Sequence, residues 1–160
     1  MQTFLLLLLL FLPLNAQTLD VPFVKQQSEY CGPAALSSVF RYYGLDISQE
    51  KIGEKVHIPS LKGALISDLE NYARNLGFKT ESGQGDIGKL KKFLDRGIPV
   101  IVLVDYGKWI FSRPHYLVVV GYNKKGFVVH DGYRAYVEIP YRKFKKLWKK
   151  SGNVYLAVYR

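Results

Sequence analysis

Only one cysteine, Cys31, occurs in 160 residues. A disulfide within the chain is therefore excluded, and so are zinc sites built on cysteine pairs. Acidic residues are also scarce: 13 stand against 23 lysines and arginines, for a net charge of +10. That balance favours anionic partners. Long apolar runs are missing beyond residue 12, so no later segment is long enough to span a bilayer as a helix. Internal repeats are missing too, which excludes solenoid and propeller architectures.

What is present begins with an address. Residues 5–12 are all Leu or Phe, followed by Pro13, Leu14, Asn15 and Ala16. The run is too short for a membrane helix and ends on a small residue suited to cleavage. This is the pattern of a secretory signal peptide, residues 1–16, cut before Gln17. No Lys or Arg precedes the run, and an uncleaved anchor is the alternative. The remainder, 17–160, is long enough for one domain with its own core. Export to the periplasm or the extracellular space is the expectation. A solitary thiol in such an oxidising space calls for a reason, and catalysis is one.

The first half of the domain reads as helical. A helix is expected over 31–43, stopped by Gly44, and a short one after Ser48 as N-cap. A third is marked by Leu65, Leu69, Tyr72, Ala73 and Leu76. A fourth, capped by Asp86, carries Ile87, Leu90, Phe93 and Leu94. The period then changes. Residues 99–104 and 115–122 are continuous β-branched and apolar runs, typical of buried strands. A turn at 123–126 returns the chain through 127–130, and strands are expected at 133–139 and 154–159. Helices first and antiparallel strands after give an α+β domain with a helical and a sheet lobe.

The segment YRKFKKLWKK between the last two strands places Tyr141, Phe144, Leu147 and Trp148 at helical spacing, with lysines left for solvent. Its ordinary role is a solvated helix face. Its sharper role is attraction to an anionic membrane or envelope surface. No recognition motif accompanies the charge, so nucleic acid is not an expected partner.

Cys31 lies where a loop becomes a helix, followed by Gly32 and by Pro33 in the first turn, where proline is tolerated. Unpaired N–H groups and the helix dipole favour an anion there, so a thiol of depressed pKa is expected. A buried structural cysteine is the plain alternative. Thiol catalysis also needs a base and a group to orient it. His115 opens the strand HYLVVVGY, His130 sits in VVHDGY, and His57 lies in a loop. His115 is the preferred base. In the hairpin, the end of the returning strand brings Asp131 close to His115, where a carboxylate would fix the tautomer. Asp131 as a mere turn-former before Gly132 is the alternative. The backbone N–H of Cys31 and an amide from Gln26 or Gln27 are candidate oxyanion donors. A metal held by Cys31, His115 and Asp131 has no paired-ligand spacing behind it, and no cofactor is expected.

The segments VPFVKQQSEYCGPAAL, PHYLVVVGY and VVHDGY together resemble the bacteriocin-processing cysteine peptidases, a papain-like family that cleaves after double-glycine leaders. The likeness extends over nearly all of 17–160, including PSLKGALISDLENYARNLGF. It implies a papain-like fold, Cys31 as nucleophile, His115 as base, Asp131 as its partner and Gln26 as oxyanion donor. The family's glutamine often stands one residue further from the cysteine, where this chain has Lys25, which leaves Gln26 against Gln27 open. Many members form the first domain of a peptide exporter. With its export signal this chain resembles the stand-alone, exported members instead. The expected function is an exported thiol peptidase. A non-cleaving peptide-binding module and a thiol acyltransferase or deamidase are the alternatives.

Overall fold

The computed structural model describes residues 18–160. The expected signal peptide and its boundary before Gln17 lie outside the described residues. The elements run α1 (Cys31–Tyr42), α2 (Gln49–Val56), α3 (Ile66–Asn75), β1 (Lys79–Gln84), α4 (Ile87–Asp95), β2 (Val100–Asp105), β3 (Pro114–Tyr122), β4 (Gly126–His130), β5 (Val137–Pro140), α5 (Tyr141–Lys149) and β6 (Val154–Tyr159). A short 3-10 turn, Pro59–Leu61, lies between α2 and α3. Two expected N-caps form: Ser48 accepts from the Lys51 N–H at 3.2 Å, and Asp86 from the Lys89 N–H at 2.7 Å.

The six strands make one sheet in the order β1-β6-β2-β3-β4-β5, and every pairing is antiparallel. Side chains alternate across it. Ile101, Tyr116, Val118, Val120, Leu156 and Val158 pack with α1, α2 and α3 on one face. Val100, Val102, Val104, Leu117, Val119, Phe127, Tyr155 and Ala157 pack with α4 and α5 on the other. Covered on both faces, β2, β3 and β6 need apolar residues at every position, which is why they read as unbroken runs. Each fully buried Leu, Ile, Val or Phe contributes ~1.5–3 kcal/mol. No helix among the described residues is long and apolar enough to cross a membrane.

One boundary differs from expectation. The strand expected at 133–139 begins only at Val137. Side chains compete with the sheet for the preceding backbone N–H groups. The Asp131 carboxylate accepts from Tyr133 at 2.9 Å and Arg134 at 2.6 Å, and His130 Nδ1 accepts from Tyr136 at 3.2 Å. This turn shapes the site.

Candidate active site

Cys31 is the first residue of α1, the helix whose buried Leu36, Val39 and Phe40 press onto the sheet. Its thiol lies close to the backbone N–H groups of Tyr116, Gly32 and Cys31 itself, which favour a thiolate. Tyr116 is the neighbour of His115, so the helix start and the β3 start meet here. The β2–β3 pairing sets His115 opposite Val104, at the end of the ladder. Cys31, His115, Asp131 and Gln26 all line one cleft of about 540 Å³.

The hairpin β3–β4 joins His115 to Asp131 as expected, but through a different atom. The imidazole Nε2–H donates to the backbone carbonyl of Asp131 at 2.6 Å. The carboxylate is engaged by the Tyr133 and Arg134 N–H groups, and the Arg134 guanidinium lies 3.4 Å away. Asp131 thus orients the His115 ring with its main chain, and its charge acts through space to favour the imidazolium. With Nε2 protonated, Nδ1 is left as the basic atom. The ring is stacked on Tyr133, with planes 3° apart and centroids 5.8 Å apart, and Tyr106 tilts against it at 5.8 Å.

Burial is the main influence on both Cys31 and His115. It pushes the Cys31 thiol above its ordinary value, and the three backbone N–H groups oppose this without overcoming it. The expectation of a depressed thiol is thereby reversed: the helix N-terminus is present, but withdrawal from water outweighs it. Burial also pushes the His115 imidazole down, against the Asp131 carbonyl and charge, and the Arg113 charge adds to the lowering. Burial thus favours the uncharged form of both side chains, thiol and imidazole alike.

The two glutamines part company. The Gln27 side chain turns to Glu50, and its backbone N–H donates to Gln49 Oε1 at 2.8 Å. Gln26 faces the cleft. Its backbone N–H donates to the Gly132 carbonyl at 2.8 Å, its Nε2 lies 3.3 Å from the Tyr133 hydroxyl, and its buried Oε1 has no partner among the described residues. A Cβ on Gly132, which has φ +85, would collide with that Oε1. Glycine is required there on both counts.

The other histidines are occupied elsewhere. His57 Nε2 lies 3.0 Å from Glu29 Oε2, and its ring packs on Tyr30. His130 is buried, donating Nε2–H to the Val21 carbonyl at 2.7 Å and accepting at Nδ1. Sequence reasoning missed Gln49. Its side chain is buried and grips the Gln26 segment from both sides, donating to the Lys25 carbonyl at 2.8 Å and accepting from Gln27. A glutamine in an amphipathic helix carries no signal of that role. The Tyr106–His115–Tyr133 stack was missed as well, although the tyrosine after Asp131-Gly132 was a readable hint.

Cys31 also borders a second cleft of about 580 Å³, lined largely by apolar groups including Leu61, Leu65, Ile66, Leu103, Pro114 and Val154. Cys31 thus sits between a polar and an apolar recess. No group of three or more His, Cys, Asp or Glu suited to a metal occurs among the described residues.

The sequence model of the Peptidase C39 family matches residues 20–157. No match was found among curated protein sequences. Among solved structures, a C39-like peptidase from Bacillus anthracis is similar at 17% identity and TM-score 0.73, covering 90% of this chain and 98% of that one. The peptidase domain of Streptococcus ComA, a bi-functional ABC transporter involved in a quorum-sensing pathway, has 29% identity and TM-score 0.69. It covers 85% of this chain and 94% of that one. A double glycine motif protease from an AMS/PCAT transporter, in complex with its leader peptide, has 23% identity and TM-score 0.72. It covers 89% of this chain and 94% of that one. With a cysteine at a helix start, a tautomer-fixed histidine lining the same cleft and the family's pattern over almost the whole described domain, the chain belongs to the Peptidase C39 family, papain-like in fold, and is a cysteine peptidase.

Proposed function

We propose that this peptidase cleaves a peptide substrate after a double-glycine leader, using Cys31 as nucleophile, His115 as base and Gln26 as oxyanion donor. The observation that carries the reading is the shared cleft of Cys31 and His115, with Nε2 of the histidine committed to the Asp131 carbonyl. The leader assignment draws on the leader-bound relative. The apolar cleft beside Cys31 suits apolar side chains on the acyl side of the scissile bond.

The chemistry starts from a thiol and an imidazole that burial biases toward their uncharged forms. Cys31 Sγ attacks the peptide carbonyl carbon as its proton passes to His115 Nδ1. The carbonyl oxygen gains the charge and accepts hydrogen bonds from the Cys31 N–H and the Gln26 side-chain amide N–H. The tetrahedral species collapses, the C–N bond breaks, and His115 returns its proton to the leaving amine. Water then attacks the thioester with His115 again as base, releasing the leader acid and the free thiol. Asp131 stabilises the transient imidazolium.

Residues 1–16 export the protein to the periplasm or the extracellular space, leaving 17–160 as the peptidase domain. The basic face of α5 attracts it to an anionic membrane or envelope surface. The deciding experiment incubates purified protein with a double-glycine leader peptide and a mixed peptide library, with Cys31→Ser as control, and reads products by mass spectrometry. Cleavage after Gly-Gly in the parent alone is expected. Cleavage at other sites overturns the leader assignment. A deamidation product overturns the hydrolytic one. Binding without products leaves a peptide-recognition module.

A further inference from the structure

The connection between β2 and β3, residues 106–113, ends in a bare apolar apex. Trp109 is 99% exposed, Ile110 92% and Phe111 75%. Three consecutive large apolar side chains held in water are unusual, and such exposure marks an interaction site. The loop is not slack. At its base, Asp105 Oδ1 accepts the N–H groups of Gly107 at 2.6 Å and Arg113 at 2.7 Å, and Oδ2 accepts the Ser112 hydroxyl at 2.7 Å. The Tyr106 N–H donates to the Arg113 carbonyl at 3.0 Å, and the Phe111 N–H to Lys108 at 3.1 Å. A Cβ on Gly107 would collide with the Phe111 carbonyl. Trp109 itself adopts φ +61, a strained value for a bulky residue. This is a well-tied turn that projects its apolar side chains outward.

Its surroundings are basic. Lys108 and Arg113 flank the apex and are exposed. Lys150, just past α5, donates from Nζ to the Gly107 carbonyl at 2.7 Å, which joins the loop to the basic helix. In α5, Phe144 and Trp148 are buried, leaving Arg142, Lys143, Lys145, Lys146 and Lys149 exposed. An apolar apex beside exposed cations matches an anionic bilayer: lysines meet head groups while Trp, Ile and Phe enter the acyl boundary. A net charge of +10 disfavours a second copy as the occupant.

We propose that Trp109, Ile110 and Phe111 insert into an anionic lipid bilayer, with the basic face of α5 on the head groups beside them. This deepens the surface-attraction reading of α5 and rests on it. Tyr106 and Arg113, at the two ends of the loop, both line the catalytic cleft. Insertion would therefore set that cleft at the membrane surface, where substrates emerging from or lying on the bilayer are met.

The test uses the full chain and its two tryptophans. Trp148 is buried and adds a constant background, so a vesicle-dependent change in emission reports Trp109. Vesicles of phosphatidylcholine, with or without phosphatidylglycerol and with brominated acyl chains, are titrated while tryptophan emission is read. Expected are a blue shift and bromine quenching on the phosphatidylglycerol vesicles, weakened by salt, lost in Trp109→Phe and unchanged in Cys31→Ser. The double variant Ile110→Ser/Phe111→Ser, which keeps the reporter, should lose on the order of tenfold in vesicle affinity. Salt-sensitive sedimentation with anionic vesicles while Trp109 stays open to acrylamide would overturn insertion and leave the α5 reading standing. No preference for anionic vesicles would overturn both. A blue shift that grows with protein concentration without vesicles would assign the apex to self-association instead. Leader cleavage is scored separately, so failure of the peptidase reading is not confused with either.

Discussion

The two histidines of the β3–β4 hairpin, His115 at one end and His130 at the other, share almost everything except their second nitrogen. Both are withdrawn from water, and burial pushes both imidazoles below their ordinary value. Each donates Nε2–H to a backbone carbonyl, Asp131 for one and Val21 for the other. His130 then accepts the Tyr136 N–H at Nδ1, so its ring is saturated and joins the N-terminal segment to the turn. His115 Nδ1 makes no hydrogen bond among the described residues, and its ring is stacked beside the cleft. The same residue type in neighbouring surroundings becomes a saturated tie or keeps a lone pair toward the cleft, the requirement for the base proposed above.

The widest separation between the pair is expected in turnover. His115→Ala should lower kcat for leader cleavage by on the order of 10⁴, the upper range for a general acid–base group. His130→Ala should leave kcat per folded molecule near the parent value. A crippled but fully folded His130→Ala enzyme would erase the distinction. The geometry around the base is sharpened next by the glutamines. Gln26→Ala should cost about 10²–10³ in kcat with KM little changed. Gln27→Ala, whose side chain faces Glu50, should behave as the parent. If Gln27 proves to be the sensitive one, the oxyanion assignment moves with it.

Stability should rank the two histidines the other way. Removing His130 leaves the Tyr136 N–H without its partner and the Val21 carbonyl with only the Tyr136 hydroxyl at 3.4 Å, a loss of about 1–3 kcal/mol in urea unfolding. His115→Ala, at a more accessible cleft, should lose less. The smallest effect is in pH. A lowered folded pKa means that the unfolded state takes up protons first. Stability from these neutral imidazoles is thus complete above roughly pH 6.5 and is lost as pH falls toward the folded values. His130→Gln should flatten that slope in urea midpoints. The thiol moves oppositely: iodoacetamide should alkylate Cys31 only toward alkaline pH, with His115→Ala changing the profile little. An alkylation profile below the ordinary thiol range that rises on His115→Ala would restore a resting ion pair.

Much of this was legible in the chain. The helix start at Cys31-Gly32-Pro33, the Ser48 and Asp86 caps and the apolar runs of β2, β3 and β6 are local matters, because capping chemistry and burial on both faces act within a few residues. So was the meeting of His115 with Asp131, since a hairpin's register carries one end to the other. Three features needed the tertiary structure. The acceptor for His115 is a carbonyl because the carboxylate is drawn to the Tyr133 and Arg134 N–H groups, a competition settled only by turn geometry. Gln26 rather than Gln27 faces the cleft because Gln49, on a separate helix, clamps the segment from outside. The thiol is raised because the sheet and α3 close over α1, and burial is the sum of elements far apart in sequence. Local periodicity and capping determined the elements and put Cys31 at a helix start and His115 at a strand start; the hydrogen-bonding atoms and the exposure of these side chains depend on long-range packing, which no short window of sequence contains.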